Sequence, residues 1–163
     1  CIVLAIKDII QVQKCMFFDQ RKDHAVLTAI IQTDKIIILD DCYNANPVST
    51  KAGIDVLIQT DERKVAILGD MFELGADERK MHYEVGEYAA KKGIDCIICA
   101  GELAKEYYDG AKAAGKKENL YYFPSRDEAI ENLKDIVKVN DAILVKASHG
   151  MKFEKIVEVL KQM

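Results

Sequence analysis

From residue 35 onward, short β-branched and aliphatic runs alternate with longer stretches of helical period, and no other feature limits the possible folds as strongly. Residues 35–39 read as a buried strand ending in Asp40-Asp41. Asn46-Pro47 then supplies an N-cap and a proline at the first helical position. That predicts a helix to about Gln59 with Ala52, Val56 and Leu57 facing inward. A strand over 64–68 breaks at Gly69-Asp70, and a helix from Asp77 to Lys92 stops at Gly93, a residue suited to a helix C-terminus. The pattern repeats with strands over 94–100, 120–123 and 142–146, and helices over 102–114 and 152–161. Ser125-Arg126-Asp127-Glu128 reads as a capping box opening a further helix to about Val139.

Such alternation predicts an α/β, Rossmann-like three-layer domain whose mostly parallel sheet of about six strands is covered on both faces through right-handed crossovers. Ahead of it, residues 25–31 and 35–39 flank Gln32-Thr33-Asp34, a hairpin signal that sets one antiparallel strand before the parallel set. The domain therefore runs over residues 25–163. Residues 1–24 form a separate N-terminal segment, in which Ile2, Ile6, Ile9 and Ile10 have helical spacing.

The chain's 163 residues match one ordinary domain, and 50% hydrophobic residues supply a core. A net charge of −4 argues against a nucleic-acid or anionic-membrane partner, which a basic excess would serve. No apolar run approaches the about 20 residues of a membrane helix, since Lys7 and Asp8 interrupt the best candidate. No basic, apolar and cleavage pattern marks a signal peptide. Five cysteines, with none after Cys99, suit a reducing compartment better than a disulfide scaffold. The expectation is a monomeric, cytoplasmic domain, and a first residue of Cys1 suggests a piece of a longer protein.

Ligands of open α/β sheets gather at the carboxyl ends of the strands, and three segments there are polar or glycine-rich. Asp40-Asp41-Cys42-Tyr43-Asn44-Ala45-Asn46-Pro47 carries carboxylates, a tyrosine and carboxamides that suit ribose hydroxyls, an amine or a metal-bridged phosphate; it equally suits a turn rich in helix caps. In Leu68-Gly69-Asp70-Met71-Phe72-Glu73-Leu74-Gly75, Asp70 and Glu73 would face the same crevice, unless this is an ordinary connecting loop. His82, on the following helix, reads first as a packing or hydrogen-bonding residue. Val145-Lys146-Ala147-Ser148-His149-Gly150-Met151-Lys152 places a lysine, a serine and a histidine near a helix N-terminus, a plausible anion site. No acid adjoins His149 in sequence and no G-x-S-x-G is present, so a Ser–His hydrolase is not indicated.

Two patterns resemble sites without being them. Gly110 to Lys116 fits most of a phosphate loop, but Lys117 stands where Ser/Thr is required and the run ends a helix instead of opening one. Cys96-Ile97-Ile98-Cys99 has zinc-like spacing, yet i and i+3 on a strand point to opposite faces.

In this order and spacing, the three loop segments resemble the C-terminal domain of the Mur ligases, and His82 followed by Val85-Gly86 adds to the likeness. The nearest branch joins D-alanyl-D-alanine to UDP-N-acetylmuramoyl-tripeptide. The resemblance covers about residues 35–163; Arg21 is the nearest candidate for the family's interdomain arginine. It implies an ATP- and Mg²⁺-dependent ligase in peptidoglycan synthesis, which activates a carboxylate as an acyl phosphate for attack by an amine. The UDP-sugar domain and the central ATPase domain with its phosphate loop would lie outside this chain, along with Mg²⁺ binding. The C-terminal domain would close over the cleft and be inactive alone. By the same resemblance Asp41 and Asn44 would contact ATP ribose or adenine, with Tyr43 and Asn46 lining that cleft. Asp70, Glu73, Lys146, Ser148 and His149 would serve the dipeptide or the reacting acyl group. The sequence departs from the family pattern at Ala147 and His149, where glycine and arginine are usual. A MurE-like or folylpolyglutamate-type ligase domain, or a non-catalytic nucleotide- or peptide-binding module, are the alternatives.

Overall fold

A computed structural model describes the backbone of residues 12–18 and 25–163. The isoleucine spacing of the first ten residues and Arg21 lie outside the described residues. The strands are β1 (Val12–Phe18), β2 (Ala25–Gln32), β3 (Ile37–Asp41), β4 (Arg63–Gly69), β5 (Cys96–Ala100), β6 (Leu120–Phe123) and β7 (Asp141–Lys146). The helices are α1 (Pro47–Leu57), α2 (Glu78–Lys91), α3 (Ala104–Ala113), α4 (Arg126–Ile136) and α5 (Glu154–Lys161).

All seven strands form one sheet in the order β1-β2-β3-β7-β4-β5-β6. β2 pairs antiparallel with both β1 and β3, and every other pairing is parallel. Among the described strands β2 is thus the one that runs against the rest, as the hairpin signal implied. The pairing of β1 adds a strand to the about six read from the sequence. The last strand enters the middle of the sheet: β7 pairs with β3 on one side and β4 on the other, and all six of its residues are buried. A continuous apolar run, Ala142-Ile143-Leu144-Val145, is what a strand covered on both faces requires.

The alternation of side chains divides the core in two. Val65 and Ile67 of β4, Cys96 and Ile98 of β5, and Ile143 and Val145 of β7 pack with Leu133 of α4 and Ile156 and Leu160 of α5. Ala66 and Leu68, Ile97 and Cys99, and Leu144 face the other way, against Ile54 of α1, Val85 of α2 and Tyr107 of α3. Cys96 and Cys99 therefore lie on opposite faces of the sheet, free and buried.

The helix limits depart from the sequence pattern where a side chain or a left-handed residue intervenes. α1 buries Thr50, Gly53, Ile54 and Leu57, while Ala52 and Val56 are only half-buried. The helix is rolled so that Gly53 meets Leu144; a Cβ there would lie 3.3 Å from a Leu144 methyl. α4 ends at Ile136, short of Val139, because Lys138 N–H donates to Asp141 Oδ2 and Asn140 turns left-handed at φ 67°. α5 begins at Glu154 because Lys152, at φ 54°, cannot continue a right-handed helix. Gly115 (φ 97°) ends the helix that bears the false phosphate-loop pattern, and Lys116 Nζ donates to the carbonyls of Ile94 and Asp95. The expected capping box of α4 forms on one side: Ser125 accepts from Glu128 N–H, while the Glu128 carboxylate accepts from the Ser125 hydroxyl.

α2 and α3 approach more closely than side chains permit. A Cβ on Gly86 would lie 2.1 Å from Tyr107 O, and one on Gly110 would lie 2.1 Å from Tyr83 O. Both neighbours are backbone and cannot yield by a rotamer change. Gly86→Ala and Gly110→Ala should each destabilise the fold by about 1–3 kcal/mol, the usual range for overpacking. Lys112→Ala, exposed on the same helix, should change it by less than about 0.5 kcal/mol. Urea unfolding of the three variants tests this; equal midpoints would refute the tight helix contact.

Candidate functional site

Insertion of β7 between β3 and β4 gathers three loops at one end of the sheet, those that follow β3, β4 and β7. Asp41 and Lys146 end neighbouring parallel strands in direct register. Lys146 Nζ donates to Asp41 Oδ2 at 2.6 Å and to the Asn44 carbonyl at 2.6 Å. The lysine is 1% exposed and Asp41 7%. Burial pushes the Asp41 carboxyl up and the Lys146 ammonium down, and their mutual attraction opposes both shifts. Beyond them Asn46 Oδ1 accepts from Ser49 N–H while the Ser49 hydroxyl accepts from Asn46 N–H, so Asn46 caps α1 reciprocally. Cys42 is buried against Val145 O, and burial pushes its thiol far above the ordinary range, which leaves it an inert packing group.

The β4 loop is held from three sides. The Asp70 carboxylate accepts from Ala104 N–H at 2.7 Å and Glu102 N–H at 3.1 Å, so it occupies the positive end of α3 instead of the open crevice. Burial pushes this carboxyl up, and the Ala104 and Leu103 N–H groups pull it back. A Cβ on Gly101 (φ 137°) would lie 2.3 Å from Asp70 Oδ1, so glycine makes room for the contact. The Asp70 carbonyl accepts from Ser148 N–H, and Ser148 Oγ accepts from Phe72 N–H at 2.9 Å. These two bonds tie the β4 loop to the β7 loop. His82 makes the third attachment: its Nε2 accepts from Met71 N–H at 2.9 Å, and Nδ1 donates to Glu78 O at 2.6 Å. The bonds assign the neutral tautomer with the proton on Nδ1. The ring is fully buried, tilted 51° against Tyr107, whose hydroxyl donates to Gly69 O. The hydrogen-bonding role read for His82 is the one the structure shows.

Toward solvent the loops present Tyr43, which is 81% exposed, with Asn44, Phe72, Glu73 and His149. The Tyr43 and His149 rings lie 5.6 Å apart. Glu73 stands in the left-handed region at φ 62°. Lys152 Nζ donates to His149 Nε2 at 3.2 Å, so a cation absent from the sequence-based set stands beside that imidazole. Its only signal in sequence was its place three residues after His149. Of the residues singled out, Tyr43, Asn44, Glu73 and His149 are exposed at this edge, whereas Asp41, Asp70, Lys146 and Ser148 are buried and bonded beneath it. The Ser148 hydroxyl hydrogen has no acceptor among the described residues. Among the described residues, no three His, Cys, Asp or Glu side chains converge as metal ligands.

His82 makes the β4 loop sensitive to pH. Burial holds its pKa below the 6.5 of an ordinary imidazole, with the Glu78 carbonyl and the Asp70 carboxylate acting the other way. The unfolded chain takes up a proton that the folded chain refuses, so this stabilisation is complete above about pH 6.5 and falls as the pH drops below it. His82→Phe should cost about 1–3 kcal/mol at pH 7.5, because the Met71 N–H is left buried without an acceptor. The gap between wild type and variant should narrow as the pH falls to about 5. A gap that is constant or widens in urea titrations at the two pH values would refute the tautomer assignment.

Comparison with known proteins agrees with the geometry. A family model described as "Mur ligase, glutamate ligase domain" matches residues 28–149. A Bacillus subtilis protein named UDP-N-acetylmuramoyl-tripeptide–D-alanyl-D-alanine ligase is 34% identical over 134 residues, 80% of this chain and 29% of that protein. A crystal structure of MurF from Acinetobacter baumannii superposes with a TM-score of 0.72 at 28% identity, over 82% of this chain and 30% of that one. MurF ligase from Thermotoga maritima, solved in complex with ADP, gives a TM-score of 0.65 at 25% identity, over 82% of this chain and 30% of that one. The chain spans less than a third of the length of these relatives. With most of its length matched in sequence and in fold, the chain belongs to the Mur ligase family and corresponds to its C-terminal domain.

Proposed function

We propose that this chain is the C-terminal lid of an ATP-dependent ligase that adds D-alanyl-D-alanine to UDP-N-acetylmuramoyl-tripeptide in the cytoplasm. The observation that carries the reading is the convergence of the β3, β4 and β7 loops at one edge of the sheet, in a chain similar to enzymes of that name. A ligand at such an edge meets side chains from several strands at once. The β3 loop suits the nucleotide: Tyr43 offers an exposed ring and Asn44 a carboxamide, above the buried Asp41 carboxylate and beside the capped turn at Asn46. ATP supplies the phosphoryl group that activates the acceptor carboxylate. The β4 and β7 loops suit the amino substrate: Ser148 has a hydroxyl hydrogen to donate, the His149–Lys152 pair places a cation at the edge, and Glu73 places a carboxylate there. Asp70 serves them by holding the β4 loop on α3. Mg²⁺ would enter with the ATP phosphates and be held by the rest of the parent protein, and no residue of this chain is assigned to it.

Incubating the full-length parent with UDP-N-acetylmuramoyl-tripeptide, Mg-ATP and a panel of amino substrates tests the assignment. The expected product is the pentapeptide, seen by mass spectrometry with D-alanyl-D-alanine and not with diaminopimelate or glutamate. A product formed only with one of those amino acids would favour the MurE-like or folylpolyglutamate-type alternative, and a parent without ATPase sequence would favour a binding module. The chain by itself should release no ADP from ATP. In the parent, Asn44→Ala should raise the KM for ATP about tenfold, the equivalent of about 1.4 kcal/mol, and leave the dipeptide KM unchanged in steady-state assays.

A further inference from the structure

Lys146 has the chemistry of a substrate-binding residue but not the placement of one. It is the last residue of the central strand, and its stem passes the floor of α1, where a Cβ on Gly53 would lie 3.7 Å from Lys146 Cδ. Its ammonium has three hydrogens. Two are directed at Asp41 Oδ2 and the Asn44 carbonyl, both at 2.6 Å, and the residue is 1% exposed. A substrate carboxylate would have to displace the bonded Asp41 to reach it. Lys152, beside His149, is an exposed cation at the same edge. The bond to the Asn44 carbonyl has a different consequence. It anchors the backbone of the turn that carries the exposed side chains of Tyr43 and Asn44 to the end of β7.

We infer that Lys146 is a positioning residue of the nucleotide loop, acting through Asp41 and the Asn44 carbonyl, and that it does not meet the amino substrate. The inference rests on the assignment of the β3 loop to ATP made above. Holding a contact group in its productive geometry before the ligand arrives is a recognised source of binding and rate. Here the buried pair would do so for Asn44 and Tyr43. Asp41 and Lys146 then form one unit, whose disruption is felt once however many of its members are replaced.

The test uses the full-length parent with Lys146→Met, Asp41→Asn and the double variant, each assayed for KM toward ATP and toward the amino substrate. Lys146→Met should raise the ATP KM about tenfold and move the amino-substrate KM by less than about twofold. The double variant should be no worse toward ATP than the worse single variant. An amino-substrate KM raised about tenfold by Lys146→Met, or effects on the ATP KM that multiply in the double variant, would overturn the inference. Should Lys146→Met fail to fold with the Asp41 charge left unpaired, the uncharged double variant carries the test. In it, an unchanged amino-substrate KM supports the positioning role and a tenfold rise refutes it. A parent that uses a different amino acid would defeat the D-alanyl-D-alanine assignment alone, since the division between nucleotide and amino-substrate KM is read with whichever substrate it ligates.

Discussion

The structure depends on the pairing of β7 with β3 on one side and β4 on the other. This strand comes near the end of the sequence and lies at the centre of the sheet. Its six residues are all buried, and its backbone satisfies hydrogen-bonding groups on both neighbours at once. Asp141, at its start, accepts from Arg63 at 2.7 Å and from Lys138 N–H at 2.8 Å. Lys146, at its end, binds Asp41. The two ends of the central strand are thus fixed by ion pairs, and the apolar run between them by packing.

That insertion makes a site from loops that are remote in sequence. Asp41 and Lys146 are 105 residues apart, and Phe72 and Ser148 are 76 apart. Each pair is joined by a hydrogen bond at the same edge of the sheet. The buried members bear the geometric load: Asp70 on the α3 N-terminus, His82 on Met71, Ser148 on Phe72, Lys146 on Asn44. The exposed members, Tyr43, Asn44, Glu73 and His149, stand on that support. A bonded layer beneath an accessible one holds the exposed side chains on a fixed support.

Buried charge is the costly part of this arrangement. Placing Asp41 and Lys146 out of water opposes ionisation of both, and one is tolerated only because the other is present. Asp70 is tolerated for a related reason, with the N–H groups at the start of α3 replacing its water. An apolar pair would pack as well at the end of β7 but would leave the Asn44 carbonyl without its donor.

Much of this was legible in the sequence. The order of strands and helices, the hairpin at Thr33, the N-caps at Asn46 and Ser125, and the opposite faces of Cys96 and Cys99 follow from local periodicity and capping chemistry, which act over a few residues. The same local signals overran the C-terminal end of α4 and the N-terminal end of α5, because the left-handed residues Asn140 and Lys152 fall at the ends of runs of helical period. The three polar loops were visible as motifs, but their division into support and surface was not. A carboxylate reads alike in sequence whether it faces a ligand or, like Asp70, a helix N-terminus. Strand order was decided only in three dimensions: which parallel strands pair is a matter of hydrogen bonding between distant backbones, is not marked by side-chain type, and placed β7 between β3 and β4 and Lys146 against Asp41.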